Sequence, residues 1–186
     1  MASNTRKTIM DSFLRLLEAR PVNKISVKDI VEDCGINRNT FYYHFADIPA
    51  LAEAIVQMEA DDFARTVTRL DTLQDCVMAA IRHGKKHKRA IWHIYHSASH
   101  EVYEHYLLEM CERAAAIYVD SVLGDRSLPE RDRSAIVEGY KCEIFGFVTD
   151  WLNREMSEDL EREFLRLCDL REGSFELMYE RALNDE

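Results

Sequence analysis

Glycine and proline are scarce in this chain, six and three in 186 residues. Few such residues leave few tight turns, so elements must be long. That argues against a sandwich or barrel and for an all-α protein. No apolar run approaches the roughly 20 residues a helix needs to cross a bilayer. The first residues also lack the apolar stretch of a secretory leader. The expectation is a cytoplasmic protein with no membrane partner. The five cysteines, Cys34, Cys76, Cys111, Cys142 and Cys168, are odd in number, widely spaced and without a C-x-x-C pair. They read as reduced thiols packed as small apolar groups. There is no glycine-rich phosphate loop and no nucleophile elbow. No enzyme activity and no cofactor are expected.

What is present suits a globular body. Apolar residues make up 47% of the chain, enough for a sizeable core. The net charge of −10 is unevenly spread. Residues 1–50 hold seven Lys or Arg against six Asp or Glu, so the acid lies almost wholly beyond them. A near-neutral head on an acidic body limits where a polyanion can dock.

Helical spacing organises the whole length. Ile9, Phe13, Leu16 and Leu17 form one stripe of a first helix over residues 5–19. Ser26 precedes a second helix over 27–34 as its N-cap, with Asp29 three residues on. Gly35 follows where a left-handed residue ends a helix. Asn37 caps a third helix over 38–45. Longer helices are predicted over 48–70, 73–86, 88–97, 100–123 and 130–154, with Asp71 or Thr72 opening the second of these. Ser157 caps a ninth helix, and Gly173 kinks or ends it before a last segment over 175–183.

The informative stretch is KISVKDIVEDCGINRNTFYYHFADIPAL, residues 24–51. Two short helices around a glycine turn have helix-turn-helix spacing. Phe41 and Phe45, four apart, should dock the third helix with Ile36. That leaves Arg38, Asn39, Thr40, Tyr43 and His44 pointing outward. Such a set is poorly suited to a core and well suited to a DNA groove. There Arg and Asn can bond guanine and adenine edges, while Thr, Tyr and His reach phosphates or thymine methyls.

Residues 5–60 resemble the N-terminal domain of TetR-type (tetracycline-repressor-like) transcription regulators. The matching features are the first helix stripe, Ser26-Val27-Lys28, Gly35-Ile36, and Thr40-Phe41-Tyr42-Tyr43-His44-Phe45. The resemblance implies an N-terminal three-helix DNA-binding domain, residues 1–47, followed by a helical ligand-binding and dimerisation domain, residues 48–186. It implies a homodimer on palindromic double-stranded operator DNA, acting as a repressor under a small-molecule effector. By position it puts Ser26, Lys28, Thr40, Tyr42 and His44 against DNA phosphates, with Arg38, Asn39 and Tyr43 reading bases, and Val27 and Asn37 complete the candidate DNA-binding set. One departure is Ile48, where the family often has a phosphate-binding lysine. The pattern N-R-x-T-F-Y-x-H-F-x-D-I is also similar to a branch that includes regulators of dihydroxyacetone kinase operons, whose effector is a protein. That is the alternative for this chain.

Six of the seven histidines lie in residues 83–105. Their spacing could gather a metal only along a continuous helix. The expected break at residues 97–99 interrupts it, so no metal is expected. Trp92, Tyr95, Tyr103, Tyr106, Met110, Tyr140 and Phe147 combine apolar bodies with several polar tips and are candidates to line an effector pocket. The helix over 130–154 carries apolar residues too widely spread for one packing face. Its surplus predicts a second partner, with Ile144, Trp151, Phe164 and Leu167 as candidate dimer contacts.

Overall fold

Apolar residues at every third or fourth position make α1 (Ala2–Ala19) amphipathic, and the stripe Ile9, Phe13 and Leu17 is fully buried. Pro21 ends it, and a 3-10 turn (Val22–Lys24) leads to α2 (Val27–Cys34). These belong to a computed structural model that describes residues 2–67, 72–97 and 100–184. Among the described residues there are ten α-helices and no strand, so the fold is all-α. After α2 come α3 (Arg38–His44), α4 (Ile48–Thr66), α5 (Leu73–Lys86), α6 (Lys88–Tyr95) and α7 (His100–Leu123). The chain closes with α8 (Glu130–Asn153), α9 (Glu158–Leu170) and α10 (Ser174–Asn184).

The chain divides into two compact units. The first takes residues up to Asp62 together with His83–Leu107, and the second takes Phe63–Arg82 with the remainder from Leu108. In the first unit α1 is central, packing on both α2 and α6. Its core joins Phe13, Ile30, Phe41, Phe45, Leu51 and Ile55 to Ala90 and Ile94 of α6. In the second unit Cys76, Val77, Ala114, Val119, Ile144, Trp151 and Leu152 are among the buried side chains.

Some boundaries differ from expectation. α6 stops at Tyr95, two residues early, where the Ser97 hydroxyl donates to the Ile94 carbonyl and ends the ladder. α4 is described to Thr66, and the expected residues 68–70 lie outside the described chain, as does Asp71. Thr72 caps α5: its Oγ accepts from the Asp75 amide at 3.0 Å while Asp75 receives the Thr72 amide at 3.1 Å. Gly173, with φ 81, stands between α9 and α10 and ends α9 instead of kinking it.

Candidate nucleic-acid interface

The helix-turn-helix begins at a reciprocal cap. The Ser26 hydroxyl accepts from the Asp29 amide at 3.3 Å, and the Asp29 carboxylate accepts the Ser26 amide at 2.8 Å and its hydroxyl at 2.6 Å. Arg20 adds an ion pair to Asp29 at 3.1 Å, tying the end of α1 to the first turn of α2. The hydroxyl of Ser26, with its amide and then Arg20, holds the Asp29 carboxyl down at about 2. Gly35 closes α2 with φ 67, and its amide bonds back to Glu32. Asn37 then opens α3: its side-chain oxygen accepts from the Thr40 amide at 2.9 Å and from the Thr40 hydroxyl at 3.1 Å.

A second clasp fixes α2 against α1 and was not foreseen. Ser12, fully buried, donates to Asp33 at 2.6 Å, and Arg15 pairs with the same carboxylate at 2.5 Å. Both contacts lower the Asp33 carboxyl, Ser12 foremost. The partners lie about twenty residues apart on different helices, and no local spacing signals such a contact. Arg6 also lies over the Phe45 ring at 5.2 Å, pinning the end of α3 beneath α1.

On this scaffold α3 buries Phe41, and Phe45 just after it, and displays nearly everything else. Arg38 and Asn39 are exposed, with no side-chain hydrogen bond or ion pair to any described residue. Tyr42 is 54% and Tyr43 80% exposed, unusual for aromatic rings. His44 is half-buried, its ring edge-to-face with Tyr43 at 5.0 Å. Lys28 is exposed with a loose i,i+4 pair to Glu32 at 3.7 Å, and Val27 is half-buried. Ser26, Asn37 and Thr40 are engaged in caps, so each would reach DNA only with its remaining hydrogen-bonding capacity. The structure thus brings all ten candidate DNA residues onto α2, α3 and their caps.

The effector candidates fall in both units. Trp92, Tyr95, Tyr103 and Tyr106 belong to the first, where the rings of Tyr95 and Tyr103 meet at 5.5 Å. Met110, Tyr140 and Phe147 belong to the second, where Phe147 packs on Phe164 at 4.2 Å and Tyr140 on Tyr118 at 5.0 Å. Tyr140 lines a cavity of about 390 Å³ in that unit together with Tyr118 and Ser174, two residues outside the sequence-based set. Of the four candidate dimer contacts, Ile144, Trp151 and Phe164 are buried within their own chain, and the Trp151 indole donates to Glu161 at 2.9 Å. Leu167 alone of the four is exposed. His93, His96 and His100 contact the carbonyls of Leu17, Trp92 and Tyr95, and His83 faces Glu59 at 3.2 Å. Among the described residues no three metal-ligating side chains gather.

A capped, two-helix reading motif on an all-helical scaffold defines a helix-turn-helix transcription regulator. Residues 9–55 match the family model for bacterial regulatory proteins of the tetR family, and residues 71–173 match that for a transcriptional regulator C-terminal region. The chain belongs to the TetR family of transcription regulators. Among solved structures it is similar to the dihydroxyacetone kinase operon activator DhaS, at TM-score 0.72 and 21% identity over 93% of this chain and 97% of that one. It is also similar to a tetR-family regulator from Streptomyces coelicolor, at TM-score 0.63 and 18% identity over 99% and 90%. A TetR regulator from Rhodococcus sp. RHA1 follows at TM-score 0.54 and 19% identity over 90% and 95%. No curated protein sequence matches the chain. No helix among the described residues is long and apolar enough to cross a membrane.

Proposed function

We propose that the protein is a homodimeric repressor whose two heads read the halves of an inverted-repeat operator, under control of a small molecule bound by its C-terminal region. The reading head is residues 1–47 and the regulatory body residues 48–186. The observation that carries this reading is α3. Its apolar side is consumed by Phe41, while Arg38, Asn39, Tyr42 and Tyr43 face solvent. Arg38 and Asn39 are the base readers and Tyr43 assists them. Lys28, Tyr42, Thr40 and His44 hold phosphates, helped by the first backbone amides of α2 around Val27.

The mate is met by exposed parts of α8 and α9. Leu167 and Leu170 on α9 are 43% and 66% exposed, and Ala135, Gly139, Cys142 and Gly146 keep the outer line of α8 free of bulk. Small residues facing leucines suit close helix packing between two copies. A second reading has a protein effector and an activating role. It draws on the exposed Leu177 of α10, 59% exposed, and on the activator named among the similar structures.

Selection of bound fragments from genomic DNA tests the main reading. It should enrich a palindrome whose affinity falls steeply with salt as phosphate contacts release counterions. Recovery of no palindrome, with salt-insensitive binding, would overturn it. Rescue of operator control only by a co-purifying protein would favour the second reading.

A further inference from the structure

We infer that the cavity beside the α9–α10 turn is a binding site for a small uncharged molecule presenting a carbonyl or hydroxyl oxygen, and that anions are excluded from it. The inference rests on the proposal that this region binds an effector, and it names the class. The cavity holds about 390 Å³ between the start of α5, α7, α8 and the turn around Gly173, within the size range of small-ligand clefts. Three aromatic residues contribute to its wall. Tyr118 meets Tyr140 edge-to-face at 5.0 Å and Phe175 at 6.2 Å, and Leu73 adds an aliphatic face.

Its polar character is set by one group above all. Tyr140 is almost wholly buried, and its hydroxyl makes no hydrogen bond of normal geometry. The hydroxyls of Tyr118 and Ser174, and then the opposed charges of Arg171 and Glu143, are the polar groups that influence it. A buried phenol without a good partner is costly, so a ligand that supplies one gains affinity. Burial raises the Tyr140 hydroxyl, and raises that of Tyr118 as well. Both keep their protons at neutral pH, and that of Tyr140 is left to donate. The complementary ligand atom is therefore an acceptor.

The charges around the cavity decide against an ion. The Arg171 guanidinium is bonded to Glu143, and Arg126 binds both oxygens of Glu176 at 2.7 and 3.1 Å. Each cation is already paired with a carboxylate, so neither adds net positive charge to attract an anionic ligand. The carboxylates left over, Glu172 and Asp169, are exposed, and only a 4.0 Å pair to Arg166 offsets Asp169. They repel anions at the mouth. Being solvated and screened, they hold a cation only weakly.

Three probes of one shape and different charge test the class on the full-length protein: benzamide, benzoate and benzylamine, followed by saturation-transfer NMR. Benzamide should give a signal and benzoate none, with benzylamine weaker than benzamide. Tyr140→Phe keeps the ring and the fold, verified by its melting curve, and should weaken benzamide about fivefold, the loss of one neutral hydrogen bond. Ser174→Ala, with a smaller loss, checks the site from the turn. Benzoate binding as well as benzamide, binding indifferent to Tyr140→Phe, or no probe binding at all would overturn the inference. Operator affinity measured with and without benzamide separates the two readings. Binding without any effect on the operator removes the effector reading and leaves the cavity's chemistry standing.

Discussion

The first unit and the second solve opposite problems with polar groups. The first unit is near neutral, 11 basic side chains against 12 acidic, while the second carries 13 against 22. In the first, caps and clasps satisfy α1, α2 and α3 internally: Ser26 with Asp29, Asn37 with Thr40, Ser12 and Arg15 with Asp33. What remains outward on α3 is left for a partner. In the second, the charged side chains pair with each other, as in Arg133–Asp120, Arg126–Glu176 and Arg171–Glu143, and the groups left without good partners are apolar surface and one buried phenol. One surface is unfinished in charge and hydrogen bonding, the other in burial. On the proposed reading, nucleic acid completes the first kind and a helix from another copy completes the second.

The largest expected effect comes from breaking the apolar side of that contrast. Leu167→Glu with Leu170→Glu places two carboxylates on α9 positions that are exposed in the single chain, so the fold of one chain should survive. The dimer should not. Sedimentation should give a monomer, and operator affinity should drop by roughly 10²- to 10⁴-fold, the advantage of two linked heads over one. A dimer that persists would move the interface elsewhere. Trp151 and Phe164 are unsuitable for this purpose, because each is buried in its own chain and its loss would unfold before it dissociates.

A smaller effect sharpens the polar side. Arg38→Ala and Asn39→Ala should each cost about 1–3 kcal/mol on the preferred operator and much less on a base-swapped duplex. Tyr42→Phe should weaken both duplexes alike. Titrations on the two duplexes distinguish the roles, and equal losses on both for Arg38→Ala would make it a phosphate contact.

The same contrast explains how much of the molecule is legible in its sequence. The head was legible because its signals are local. A cap, a glycine turn and two phenylalanines four apart are all fixed within some twenty residues, and Gly35, Asn37 and Phe41 take up the expected conformations. The reading-helix side chains followed, since burial of Phe41 and Phe45 dictates which residues face away. The body was legible as helices and much less so as sites. The broad apolar face of α8 was read as needing a second partner, and part of that face is covered by α9 of the same chain, through Phe147 on Phe164. The cavity gathers Thr72, Tyr118, Tyr140 and Ser174 from four separated segments. No periodicity within one helix reports such a meeting, which is why Tyr118 and Ser174 were absent from the expected lining while Tyr140 was present.

The smallest effect concerns the cap that starts the reading motif. Asp29 receives the Ser26 hydroxyl and amide and pairs with Arg20, and its carboxyl is held at about 2, below an ordinary unfolded value near ~3.9. A depressed carboxyl contributes stability that is fully present above the unfolded value and fades as pH falls toward the folded one. Asp29→Asn keeps an oxygen to accept from the Ser26 amide and removes the titration. The melting temperature of the native chain should therefore exceed that of the variant by a constant margin above about pH 4, and the margin should shrink steadily as pH falls toward 2. Because Asp29 is solvated, the margin is small and should also narrow with added salt. A margin that is unchanged between pH 5 and 3 would mean that the cap acts through hydrogen bonding alone, with the charge of Asp29 and its pairing with Arg20 contributing nothing to holding α2 against α1.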